Sequence, residues 1–172
     1  MASVEAQELI SRLGLEPLEG EGGYYRNIFL DTQRIPTAHL GNFAASELPL
    51  SSVIYYLMTK ESFSALHWLA GLEVWTWIAG DPVEQVIIHP GSVVETRILG
   101  FGPERESVSV VLGNSWQGSR ILADGTHGYA LCSTVMNPAY HPDDFVLADR
   151  SICMRYPEES DLLLQFLPRG AQ

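Results

Sequence analysis

Hydrophobic and polar positions alternate along most of this chain, and turn residues interrupt the alternation about every ten residues. From position 53 the pattern predicts successive strands at 53–59, 64–69, 73–79, 84–89, 93–99, 107–112, 116–122 and 129–135, with a short one at 145–147. Gly80-Asp81-Pro82, Pro90-Gly91, Gly113-Asn114, Asp124-Gly125 and Asn137-Pro138 supply turn chemistry between them. An earlier strand is predicted at 24–30, rich in aromatic and β-branched residues. Residues 31–49 have no clear period, carry Pro36, Gly41 and Pro49, and read as one long loop. The period changes at the two ends. Ala6, Leu9, Ile10 and Leu13 share one face of a helix over 3–13, with Ser3 placed as N-cap and Gly14 as the left-handed stop. A second helix is predicted over 158–167, with Leu162, Leu163 and Phe166 on its apolar face. Many short strands with such turns predict a mainly β fold, an antiparallel sandwich or barrel, with short N- and C-terminal helices.

Length and charge narrow the function. The chain has 172 residues, read as one domain over 1–172, and 46% hydrophobic composition is that of a globular protein. Twenty-one acidic residues oppose ten basic ones, with Lys60 the one lysine, for a net charge of −11. Such a surface repels nucleic acid and anionic membrane, so neither is expected as a partner. No apolar run approaches the ~20 residues that span a bilayer. No signal peptide is expected, because the first residues lack a basic and then an apolar segment. Cys132 and Cys153 lie in apolar runs and read as buried free thiols of a reducing cytoplasm.

Candidate chemistry centres on residues 63–80, F-S-A-L-H-W-L-A-G-L-E-V-W-T-W-I-A-G. His67 and Glu73 lie in runs that read as buried strand, crowded by Trp68, Trp75 and Trp77. Alternation places Trp75 and Trp77 on the face of Glu73, expected to point inward. A histidine and a carboxylate between aromatic walls have perturbable pKa values, as acid–base work requires. Tyr25 and Arg26 follow the Gly22-Gly23 pair, and Arg26 is a candidate clamp for a carboxylate or phosphate. Ser64 and Ser133 lack a nucleophile elbow, and Gly22-Gly23 lacks the Gly-Lys-Ser/Thr of a phosphate loop.

These motifs resemble the cupins. His67, Glu73 and Gly80 keep the H-x5-E-x6-G spacing of the first cupin motif, and the second falls on Leu112, Asn114 and Gln117. The ordered set Glu21-Gly22-Gly23-Tyr24-Tyr25-Arg26, residues 52–58, residues 63–80, Trp116-Gln117 and residues 132–145 is similar to a small single-domain cupin group of unassigned function. The resemblance implies a double-stranded β-helix, a jelly-roll-like barrel, and a homodimer. Trp68, Leu72, Thr76 and Ala139 depart from that group's pattern.

A cupin metal site uses two histidines, the glutamate and a further histidine. Those positions are His67, Leu69, Glu73 and Gln117 here, two strong donors and an amide, so no metal cofactor is expected. A divalent metal would need His127 or His141 to fold into the barrel mouth. The resemblance therefore implies a small-molecule-binding cupin, with metal-independent isomerase or epimerase chemistry on a sugar nucleotide or small carbonyl compound. His67 is then the base, Glu73 its companion and Tyr140 (or Tyr129) the proton donor, with Gln117, Trp75, Trp77, Arg26 and Tyr25 binding the ligand. A non-catalytic ligand-binding or sensing cupin and a metal-dependent, dioxygenase-like cupin enzyme are the alternatives.

Overall fold

The first helix is shaped at both ends by its own sequence. In the computed structural model, which describes residues 3–170, helix α1 (Val4–Leu13) starts with the Ala6 amide donating to Ser3 Oγ at 3.2 Å. It ends at Gly14, whose φ of 62° lets its N–H return to the Ile10 and Ser11 carbonyls. Thirteen strands follow: β1 (Glu16–Pro17), β2 (Tyr24–Leu30), β3 (Arg34–Pro36), β4 (Glu47–Pro49), β5 (Ser52–Thr59), β6 (Ser64–Leu69), β7 (Leu72–Gly80), β8 (Val83–Ile88), β9 (Val94–Leu99), β10 (Val108–Val111), β11 (Ser115–Ile121), β12 (Tyr129–Asn137) and β13 (Phe145–Leu147). Helices α2 (Ser151–Arg155) and α3 (Ser160–Leu164) close the chain.

Two antiparallel sheets form the walls of a double-stranded β-helix, as expected. One has the order β1-β2-β5-β12-β7-β10 and the other β13-β6-β11-β8-β9. Alternation sends Tyr56, Met58, Trp75, Val83, Ile87, Leu99, Val111, Ile121 and Cys132 inward, where they fill one end of the barrel. Outside the first sheet, α1 covers Leu57, Tyr129 and Leu131 with Ala6. Outside the second, Leu66, Val86 and Ile88 pack under Ile152, Leu163, Phe166 and Leu167. Among the described residues, no helix covers the rest of the first sheet's outer face. There the strand register lines up Phe29, Val53, Val135, Val74 and Val110 as one apolar row across five strands.

Three expectations need correction. The 31–49 segment is not one loop, because β3 and β4 pair within it, Arg34 opposite Pro49 and Pro36 opposite Glu47. The second helix is shorter than 158–167. Past Leu164 the chain tightens into turns, with the Phe166 amide donating to the Leu163 carbonyl at 3.0 Å, and the Phe166 carbonyl accepts from the Leu66 amide at 2.7 Å, which ties it to β6. The α2 turn was not expected; the Asp149 carboxylate accepts from the Ser151 amide at its start. Among the described residues, no helix is long and apolar enough to cross a membrane. Cys132 is buried, and burial pushes its thiol up to about 12, so it is a core residue; Cys153 is half-buried, and both are free thiols.

Candidate functional site

The open end of the barrel holds a cavity of about 370 Å³, set between the two sheets. From β6 comes His67, from β7 Glu73 and Trp75, from β5 Tyr56, from β12 Thr134, and from the segment before β2 comes Glu21. Tyr140 and Phe145 complete the lining, Phe145 from β13 beside the His67 strand.

His67 is 2% exposed, and its ring stacks on Phe145 with centroids 5.1 Å apart. Its Nδ1 lies 2.8 Å from the Ala65 carbonyl oxygen. A carbonyl only accepts, so Nδ1 carries the hydrogen. In the neutral ring Nε2 then bears the free lone pair, and Nε2 has no hydrogen-bond partner among the described residues.

Glu73, 6% exposed, is gripped from behind. The Gln117 amide Nε2 donates to its Oε2 at 2.5 Å, and the Thr134 hydroxyl also bonds to it. Gln117 is held in turn by Trp75, whose indole N–H donates to its Oε1 at 3.1 Å. Burial raises the Glu73 pKa above the usual carboxylate value, while the nearby His67 and these hydrogen bonds pull it back.

Glu21 was not anticipated as a site residue. It sits in a loop of left-handed glycines, with φ of 108° at Gly22 and 69° at Gly23. A Cβ at Gly22 would overlap the Phe63 carbonyl oxygen, and one at Gly23 would lie 2.5 Å from the Tyr56 hydroxyl oxygen. Only glycine lets the loop press this close, and the pressure carries Glu21 into the barrel. Its Oε1 accepts from Ser64 Oγ at 2.7 Å, lies 3.0 Å from the Tyr56 hydroxyl and stands 3.9 Å from His67 Nδ1. Burial, then the Glu21 charge, raises the Tyr56 pKa well above its ordinary value. The Gly22-Gly23 pair was a visible signal, but nothing in it marked which neighbour would point inward.

Tyr140 is 49% exposed at the mouth, and its ring meets Phe145 edge-on at 6.0 Å. Partial burial, then the Glu21 and Tyr25 charges, raises its pKa, so the phenol keeps its proton at neutral pH. Tyr25 also lines the cavity. The remaining expected residues lie elsewhere. Gln117, 1% exposed, stands behind Glu73 rather than in the cavity wall. Trp77 lies beyond the core plug, donating to the Asp81 carbonyl at 3.0 Å and packing on Phe101. Arg26 turns to the outer side of β2 and donates to the Leu13 carbonyl at 2.7 Å, closing the C-terminus of α1. Tyr129 packs under α1.

The side chains at the cupin ligand positions do not suit a divalent metal. Leu69 has no donor, and the Gln117 oxygen is already taken by Trp75. His127 lies 3.5 Å from Glu5, and His141 accepts from the Asp143 amide, so neither lines the cavity. Among the described residues, no three His, Cys, Asp or Glu side chains gather as a metal site.

The family model described as Cupin superfamily (DUF985) matches residues 7–148. A hypothetical protein from Leishmania major is 28% identical, with a TM-score of 0.85 over 95% of this chain and 99% of that one. A Shewanella oneidensis protein is 25% identical, with a TM-score of 0.79 over 94% and 96%. Oxalate decarboxylase from Bacillus subtilis shares the fold at 15% identity and a TM-score of 0.51, over 87% of this chain and 34% of that one. The comparison with curated proteins found no match.

Proposed function

This chain belongs to the cupin superfamily (DUF985), and from that premise we propose that its barrel cavity moves a proton on a small carbonyl compound without a metal. The observation that carries this reading is the fixed tautomer of His67, with Nδ1–H on the Ala65 carbonyl and Nε2 unpartnered at the cavity. Of the two substrate types, the small carbonyl compound is favoured over the sugar nucleotide. A diphosphate would meet no arginine or lysine in the cavity wall.

The chemistry is an enediol isomerisation. His67 Nε2 takes the proton from the carbon beside the carbonyl. The freed C–H pair becomes the new C=C bond, and the carbonyl π pair moves to oxygen, which the Tyr140 phenol protonates. The proton on His67 returns to the neighbouring carbon, and the other hydroxyl gives its proton to Tyr140. Both groups are then as they began. Glu73 and Glu21 favour the transient imidazolium electrostatically.

The test is deuterium exchange from heavy water into small aldoses, ketoses and keto acids, followed by NMR. Exchange is expected with the wild type, is unchanged by a chelator and is lost in His67→Ala. Loss on chelation would return the site to a metal-dependent enzyme. Binding without exchange in the wild type would assign the cavity to ligand capture alone.

A further inference from the structure

We infer that the cavity selects a ligand bearing a primary ammonium group, seated against Glu21 and the aromatic wall; this rests on the cavity being the ligand site. The charged groups lining the space are all acidic, and two further acceptor atoms near it are free, while Asn27, Ser52 and the Tyr25 and Tyr140 phenols can both donate and accept. His67 Nε2 is unpartnered, and among the described residues Glu21 Oε2 makes no hydrogen bond, since Tyr56 and Ser64 both address Oε1. Three carboxylates line the space, Glu19, Glu21 and Glu73, against no arginine or lysine. Arg26, the nearest basic candidate in sequence, is tied to α1 on the other side of β2. Glu19 is exposed at the rim, whereas the Glu21 side chain is only 11% exposed.

An ammonium group has three donors, no acceptor and a positive charge, which complements the free Glu21 oxygen, His67 Nε2 and the acidic lining. A carboxylate or phosphate brings negative charge to a space lined by Glu19, Glu21 and Glu73. The wall supplies a second attraction. Tyr25, Tyr56, Trp75, Tyr140 and Phe145 all line the cavity, and a cation over such faces gains from their quadrupoles. Taken with the proton-transfer reading, the ligand class is a small amino-carbonyl compound. The amine anchors it on Glu21, and the carbonyl end meets His67 and Tyr140.

The test is an NMR titration of the whole chain, following the His67 ring and Trp75 indole signals. Ethanolamine and glucosamine are the ammonium probes. Ethylene glycol and glucose are the neutral matches, and glycolate and glucuronate the anionic ones. The ammonium member of each set is expected to bind at least about tenfold more tightly than its matches, and Glu21→Gln to cut that affinity about tenfold or more. Glutamine keeps an acceptor for Tyr56 and Ser64, so affinity for the neutral probes stays within about twofold. Equal or weaker binding of the ammonium probes, no shift with either of them, or undiminished affinity in Glu21→Gln overturns the inference. The two readings fail separately. Ammonium binding with no His67-dependent exchange in any carbonyl compound would sink the catalytic reading alone. Exchange confined to neutral carbonyl compounds would sink the ammonium site alone.

Discussion

Glu73 shows how one buried side chain sets a pH dependence. Its folded pKa is raised, so between the ordinary value of 4.5 and that higher value the folded state holds a proton the unfolded chain has lost. Stability from this group therefore falls as pH rises through that window. Glu73→Gln keeps an oxygen for the Gln117 amide and has no proton to lose. Its stability relative to the wild type should rise with pH from 4.5 upward, as urea titrations at several pH values would show. A constant difference across pH would contradict this origin. Trp75→Phe tests the same chain of bonds one step back. It leaves the Gln117 oxygen buried without its donor, at a cost of roughly 1–3 kcal/mol in urea unfolding. It should also loosen Glu73.

At the scale of the element, the loop before β2 is the part on which the site depends most. Gly22→Ala places a Cβ against the Phe63 carbonyl in a left-handed backbone, so a loss of roughly 1–3 kcal/mol in thermal or urea unfolding is expected. Reduced binding in the cavity should accompany it, because Glu21 moves with the loop. β2 and the run from β5 to β13 were legible from alternation and turn residues, whereas the two-residue β1 was too short to show a period. The inward set Glu73 and Trp75 followed from the same parity. Parity held for Trp77 too, which points inward, but it lies past the depth at which the core closes the barrel and so does not line the cavity. Glu21, Arg26 and the β3–β4 pair were illegible for another reason. Loop geometry and long-range hydrogen bonds decide where they go, and neither has a local period. The rim strands add an opposite pH effect. Hydrogen bonds from Arg97, then His89, hold Glu95 at about 2, so its stabilisation is present above 4.5 and is lost as pH falls toward 2. Glu95→Gln should shrink the acid-side slope of the same urea titrations; an unchanged slope would assign it to other carboxylates.

For the whole molecule, a net charge of −11 makes two copies repel over most of their surface. The uncharged row Phe29-Val53-Val135-Val74-Val110 is where repulsion is least, with Phe29 49% and Val110 42% exposed. A homodimer joined through this face is the proposed assembly. Sedimentation should give a dimer for the wild type and a folded monomer for Val135→Lys, whose side chain points away from the cavity. A wild-type monomer, or a dimer undisturbed by the lysine, would rule the face out.

Beyond Trp75 the barrel is filled by Met58, Val83, Ile87, Leu99 and Ile121, so the cavity is a blind well with its opening at the Tyr140 end. Whatever enters must leave by the same route. Under the proposed isomerisation, product would leave through the mouth by which its precursor enters and compete with it for the same well.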